Sequence, residues 1–298
     1  MGKSLPSKNI HFVTGYARSG TTLLASILGR NPNIIATPET CFFEHLYKSN
    51  GYPKKREVIR SRFLKDLNLE SEVYDRNNSC TELFIDGVTE YSKSKPSAGV
   101  IVEKSPHHLC FIRRVSKEIE GSKFVVIVRD PRAIYSSLHK VPWSHNSISR
   151  FCAEWNARQK YLNDALLDKG LKNKIHVIRY EDLLSNPKSE IEKVCNFLGV
   201  VYSDSMFNVA ESNIVPSWER EWKDNVNKPI DKSKIDSYKD KLSASEIDKI
   251  TKLCSMGMES FGYIGSNSHE KKSLYMRILE SKLYRNARLY IKRRRVYE

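Results

Sequence analysis

His11-Phe-Val-Thr-Gly15-Tyr-Ala-Arg18-Ser-Gly20-Thr-Thr-Leu-Leu-Ala-Ser-Ile-Leu28 is the stretch from which the rest of the 298-residue chain can be read. Apolar Ile10, Phe12 and Val13 give the signal of a short buried strand. Gly15 and Gly20 bracket a turn, Leu23, Leu24, Ile27 and Leu28 then recur at helical spacing, and Gly29 with Pro32 ends the run. Strand, glycine turn and helix N-terminus together make a cradle for an anion, because the first helical turn has unpaired N–H groups and a partial positive charge. The spacing Gly15-x4-Gly20 is that of a nucleotide phosphate loop, but Thr21 stands where the G-x4-G-K-[ST] motif has lysine. Arg18 is the strong charge of this loop, and Ser19, Thr21 and Thr22 crowd further donors into the same turn. A lone G-x4-G would read as an ordinary turn with a surface arginine; this density of donors favours an anion site.

Outward from that stretch, four more apolar segments read as strands: 33–36, 99–103, 123–128 and 174–179. Helical patterns lie between them at 41–47, 54–69, 81–94, 107–120, from Ala133 onward, 147–167 and 188–198. Pro131 suits a first helical turn, and Ser243-Ala-Ser-Glu246 is a capping box opening a helix that runs to Ser260. Five strands alternating with helices predict a parallel sheet covered on both faces, in which ligands sit at the carboxyl ends of the strands. The residues just past those ends are Arg18, Glu39, Lys104, Arg129 and Tyr180. Residues 1–263 are read as one α/β domain, with a helical insert at 41–96 as a candidate acceptor pocket, and residues 264–298 as a basic helical tail.

Fifty Lys and Arg against 35 Asp and Glu give a formal charge of +15, which favours anionic partners without choosing among them. The six cysteines, Cys41, Cys80, Cys110, Cys152, Cys195 and Cys254, include no C-x-x-C pair and no zinc spacing. Four of them fall in apolar helical patterns, the chain opens without a signal-peptide pattern, and no apolar run reaches the ~18 residues of a membrane span. A reducing, cytoplasmic setting is expected. The tail carries an apolar stripe and ends in Lys292-Arg-Arg-Arg295, read first as a solvated helix and second as a contact for an anionic membrane surface or an acidic substrate.

Two stretches carry a resemblance. Arg18-Ser-Gly-Thr-Thr22 resembles the loop by which the sulfotransferase superfamily binds the 5′-phosphosulfate of 3′-phosphoadenosine 5′-phosphosulfate (PAPS), and Val125-Val-Ile-Val-Arg129-Asp-Pro-Arg-Ala-Ile-Tyr-Ser-Ser137-Leu resembles its second signature, in which an arginine and a serine hold the 3′-phosphate. The resemblance, running from about residue 10 to 263, implies a phosphate-loop-containing α/β fold. It also implies transfer of a sulfuryl group from PAPS to an acceptor hydroxyl, leaving 3′-phosphoadenosine 5′-phosphate (PAP), with no metal. Arg18, Ser19, Gly20, Thr21, Thr22, Arg129, Ser137, Tyr180 and Lys228 would then contact the donor. Arg18 and Lys104 would stabilise the leaving oxygen, Ser217 (Ser212 as alternative) the transferring group, and Glu39 would be the base. Glu39 and Lys104 sit as in the tyrosylprotein branch, and Trp218 or Trp222 could stack on the adenine.

The rival base is His107 or His108, since cytosolic small-molecule sulfotransferases place histidine after the third strand, although here Pro106 lengthens the spacing. The bland reading of Arg129 is an ion pair with Asp130. Two rival functions are a phosphate-loop kinase or NTPase, disfavoured by Thr21, and a basic nucleic-acid binder, for which no recognition motif is present. The acceptor is left open among a peptide tyrosine, a glycan, a lipid and a small molecule, with a homodimer as an option for the assembly and no nucleic acid expected.

Overall fold

The computed structural model describes residues 9–48, 53–70, 79–139, 147–208 and 228–265. Its centre is a five-stranded sheet of β1 (Ile10–Gly15), β2 (Ile34–Ala36), β3 (Val100–Lys104), β4 (Phe124–Val128) and β5 (Ile175–Arg179), in spatial order β2-β3-β1-β4-β5. Every pairing is parallel. The chain leaves β1 for the edge strand β2, returns in β3 beside β1, then crosses to β4 on the other side. The carboxyl ends of β1, β3 and β4 therefore flank the switch in strand order where such sheets bind ligands.

Side chains alternate across the pleat. Ile10, Phe12, Ile101, Phe124 and Val126 face one core, whereas Val13, Val102, Val125 and Ile127 face another. The first core is covered by α2 (Phe42–Lys48), α3 (Pro53–Asp66), α4 (Cys80–Ser92) and α5 (Ile112–Glu118), with part of α7 (Ile148–Leu166). The second lies under α1 (Thr21–Gly29), α8 (Tyr180–Ser185) and α9 (Pro187–Leu198). A third cluster joins α6 (Pro131–Leu138), α7 and α10 (Ala244–Ser260), and it includes Tyr16 of the phosphate loop. Ser243 and Glu246 form the expected capping box on α10.

The helix expected over 107–120 begins instead as a 3-10 turn, Pro106–Phe111, and becomes α-helical only at Ile112. Its start is tethered to the sheet: the Thr14 hydroxyl donates to the Pro106 carbonyl at 2.8 Å, and His108 reaches back to Glu103. Residues of the 41–96 insert form much of the first core. Phe42, Phe43, Phe63 and Phe84 are buried with Phe12 and their rings meet at 4.6 to 6.0 Å. Lys95, closing the insert, donates to the carbonyls of Gly29, Asn31 and Ile34 at 2.6 to 2.9 Å and so fixes the end of α1 and the start of β2. Among the described residues no helix is long and apolar enough to cross a membrane. The basic tail from residue 266 lies outside the described residues.

Candidate active site

The loop after β1 turns on two left-handed residues, Arg18 at φ +70° and Gly20 at φ +101°. Gly20 caps α1 with no side-chain hydrogen bond to the first turn. A Cβ there would lie 2.6 Å from the Tyr180 ring, so the loop backbone rests directly on that ring. Arg18, a non-glycine residue in a conformation that costs about 1–3 kcal/mol, is held there by partners at both ends. Its Nε donates to Ser137 Oγ at 3.2 Å, and its carbonyl accepts from Arg129 Nη1 at 2.9 Å. The residues of the two donor signatures, which lie more than a hundred positions apart, therefore meet.

Arg129 leaves β4, lies with its guanidinium 4.1 Å over the Tyr180 ring, and is largely buried. The bland reading, an ion pair with Asp130, is not met. Asp130 accepts from the Arg132 amide and guanidinium at 2.6 to 3.1 Å, serving as the N-cap of α6. Arg129 Nε and the wholly buried Ser19 Oγ have no hydrogen-bond partner among the described residues. Buried donors are ordinarily satisfied, so two orphans on the adjoining loops after β1 and β4, beside an uncapped helix start, fit an oxyanion ligand such as a phosphate. Glu181 carries the next layer: Oε1 accepts from the Asp130 amide at 3.0 Å, and Oε2 from the Tyr263 hydroxyl at 3.0 Å. Burial raises the Glu181 carboxyl above its ordinary range.

At the other side of β1, Lys104 closes β3 in register with Val13, and the Ser105 amide donates to the Val13 carbonyl at 3.2 Å. Lys104 is fully buried, and its Nζ meets Glu39 Oε2 at 2.7 Å, while the Glu39 side chain keeps 22% of its surface exposed. Both groups lie at strand ends, as the sequence predicts, and they form one ion pair. Thr21 and Thr22 are buried in the first turn of α1.

The two histidines do different things. His108 is wholly buried: the Phe43 amide donates to Nε2 at 3.2 Å, which places its proton on Nδ1, 2.9 Å from Glu103 Oε2. That geometry leaves it no access to an acceptor, and the base role considered for it is withdrawn. His107 has Nδ1 3.3 Å from Arg158 Nη2 and 3.7 Å from Glu44 Oε1. Glu103, buried with Thr40 Oγ1 and Ser105 Oγ donating to it at 2.8 and 2.6 Å, carried no sequence signal beyond its place at a strand end. Ser217, its alternative Ser212, and Trp218 and Trp222 lie outside the described residues. Lys228 is exposed at the start of the segment whose Ile230 packs on the core that holds Tyr180.

The profile of the Sulfotransferase family matches residues 11–204. This chain belongs to the sulfotransferase family. The matched span contains β1 to β5 and both donor signatures, so the kinase and nucleic-acid readings are set aside and the enzyme is a sulfotransferase. A putative protein-tyrosine sulfotransferase of Caenorhabditis briggsae is 26% identical over 204 residues, covering 66% of this chain and 68% of the relative. The protein-tyrosine sulfotransferase of Drosophila melanogaster is 25% identical over 229 residues, 74% of this chain but 44% of the relative, so the chain spans less than half the length of that protein. Among solved structures, the sulfotransferase domain of the Synechococcus olefin synthase superposes with a TM-score of 0.63 at 20% identity, covering 89% of this chain and 98% of that domain, which shows the shared fold.

Proposed function

We propose that this sulfotransferase moves the sulfuryl group of PAPS to the phenolic hydroxyl of a tyrosyl peptide. The observation that carries the proposal is the junction of Arg18, Ser137 and Arg129 beside β1 and β4, with the Glu39–Lys104 ion pair across β1. Arg129 and Ser137 would grip the 3′-phosphate, the guanidinium supplying a planar fork that a lysine cannot. Ser19, Gly20, Thr21 and Thr22 would hold the 5′-phosphosulfate at the start of α1. Tyr180 would face the nucleoside, and Lys228 and Ser217 would approach from the late segment.

In the transfer the acceptor oxygen attacks sulfur in line, Glu39 takes its proton, the sulfur–oxygen bond to the phosphate breaks, and the electron pair stays on the phosphate oxygen. Arg18 and Lys104 are the cations for that developing charge, and one such donor contributes about 10²–10³ in turnover. These side-chain cations serve in place of a metal. The protein-tyrosine sulfotransferases among the relatives support a phenolic acceptor, and the charge of +15 supports an acidic peptide. All six cysteines are free thiols, which supports a reducing compartment such as the cytoplasm.

The test is transfer from labelled PAPS to a tyrosyl peptide, with glycan, lipid and small-alcohol acceptors as parallel arms, alongside calorimetry with PAP. Glu39→Gln should lower turnover by about 10² or more while PAP affinity stays within about twofold. If Glu39→Gln turns over normally the base lies elsewhere, and His107 is the group to replace next. Label in another acceptor alone would reassign the substrate.

A further inference from the structure

Three consecutive backbone amides follow Glu39 and Thr40, and each reaches the same buried carboxylate through one intermediary. The Cys41 amide donates to Ser105 Oγ at 2.9 Å, and Ser105 donates to Glu103 Oε1 at 2.6 Å. The Phe42 amide donates to Thr40 Oγ1 at 3.3 Å, and Thr40 donates to the same Oε1 at 2.8 Å. The Phe43 amide donates to His108 Nε2 at 3.2 Å, and His108 Nδ1 faces Glu103 Oε2 at 2.9 Å. These are the amides that open α2, the ones a helix leaves without internal partners. Two hydroxyl donors converge on Oε1 and the His108 imidazole stands at ion-pair distance from Oε2, an arrangement that suits a group that only accepts, which an ionised carboxylate is and a carboxamide is not. Burial alone would raise the Glu103 carboxyl; His108 and the Ser105 and Thr40 hydroxyls outweigh it and hold the group below its usual range.

The turn so fixed is the one that carries Glu39. Cys41 takes a left-handed φ of +47°, an unfavourable choice for a residue with a side chain, and its thiol approaches Glu39 Oε1 at 3.5 Å. Neighbouring strand residues point to opposite sides. Lys104 thus meets Glu39 directly while Glu103, one position earlier, fastens the backbone behind it. We propose that Glu103 is the positioning residue of the proton-transfer step, holding Glu39 in place through Ser105, Thr40 and His108. This rests on the reading of Glu39 as the base. Misplacing a catalytic group by about 1 Å can cost about 10² in rate, so loss of this anchor should appear in kcat.

The experiment measures kcat with labelled PAPS, PAP affinity by calorimetry, and thermal midpoint, on the full chain. Glu103→Gln should lower kcat by about 10- to 100-fold with PAP affinity within about twofold. In the Glu39→Gln background the same change should add nothing to the residual rate, because the two act as one unit. Thr40→Val, which removes a single relay, should lower kcat by about tenfold, and Thr40→Ser should restore it. If Glu103→Gln does not fold, the Thr40 pair decides. Normal kcat in Glu103→Gln and Thr40→Val, an equal loss of PAP affinity, or a further loss in the Glu39→Gln background overturns the proposal. Full turnover in Glu39→Gln overturns the assignment of the base, whereas an inactive Glu39→Gln beside a fully active Glu103→Gln overturns the positioning role alone.

Discussion

Arg129 had two readings in the sequence, donor ligand or partner of Asp130, and one neighbouring side chain removes the second. Arg132 occupies both Asp130 oxygens, so Arg129 is left to hold the Arg18 carbonyl and to lie on Tyr180. Arg129→Lys keeps the charge and loses the fork. PAP affinity should fall about 10- to 100-fold, the scale of one charged hydrogen bond of ~1.5–3 kcal/mol; calorimetry showing no change would remove Arg129 from the donor site. Arg18, Ser137 and Arg129 were legible in advance because each sits in a contiguous motif with a strand before it and a helix after it. Glu103 and His108 were not, because their meaning lies in contacts with residues 40 to 43, more than sixty positions earlier. A glutamate at a strand end has the same local sequence whether it faces solvent or gathers three relays.

At the scale of elements, the five strands and their order of appearance follow from apolar runs bounded by glycine and polar turns, and the observed ends differ from the expected ones by about one residue. The 3-10 turn at Pro106–Phe111 escaped because its geometry is imposed from outside, by Thr14 and Glu103, rather than by its own periodicity. The pairing of β1 with β4 carries a pH signature. His11 is buried at the start of β1, and its Nδ1 accepts the Lys123 amide at 3.2 Å. Burial, with Lys123 nearby, lowers its pKa from 6.5 to about 4. The native state therefore prefers the neutral ring, and between those two values the unfolded chain binds more protons. The resulting stabilisation is complete above about pH 6.5 and is lost as pH falls to about 4; in magnitude it is on the order of 3 kcal/mol. Urea titrations across that window should show the decline in the wild type. In His11→Asn, which retains an acceptor for Lys123, the slope should flatten; an unaltered slope would assign the effect to other groups.

For the molecule as a whole, two apolar clusters cover the two faces of the sheet, and the phosphate loop is fastened into a third through Tyr16, whose ring lies edge-on to Phe151 at 5.8 Å and under Arg158 at 4.6 Å. The same cluster holds α6, the carrier of Ser137, against α7 and α10. Where those two helices cross, a Cβ on Gly257 would lie 2.5 Å from the Trp155 ring. Gly257→Ala should cost about 1–3 kcal/mol in chemical unfolding; an unchanged midpoint would show that the crossing has slack. This layer was only partly legible, since the capping box announced α10 but nothing in its pattern named the helix it packs on. The hydrogen bond from Tyr263 to Glu181, and from there to the Asp130 amide, bears on how far the enzyme can be trimmed. The span recognised by the family profile stops at residue 204, yet the turn that presents Arg129 is buttressed from residue 263. A gene truncated at the edge of the recognised span would encode both motif stretches, 18–22 and 125–138, and still lack the strut behind Arg129.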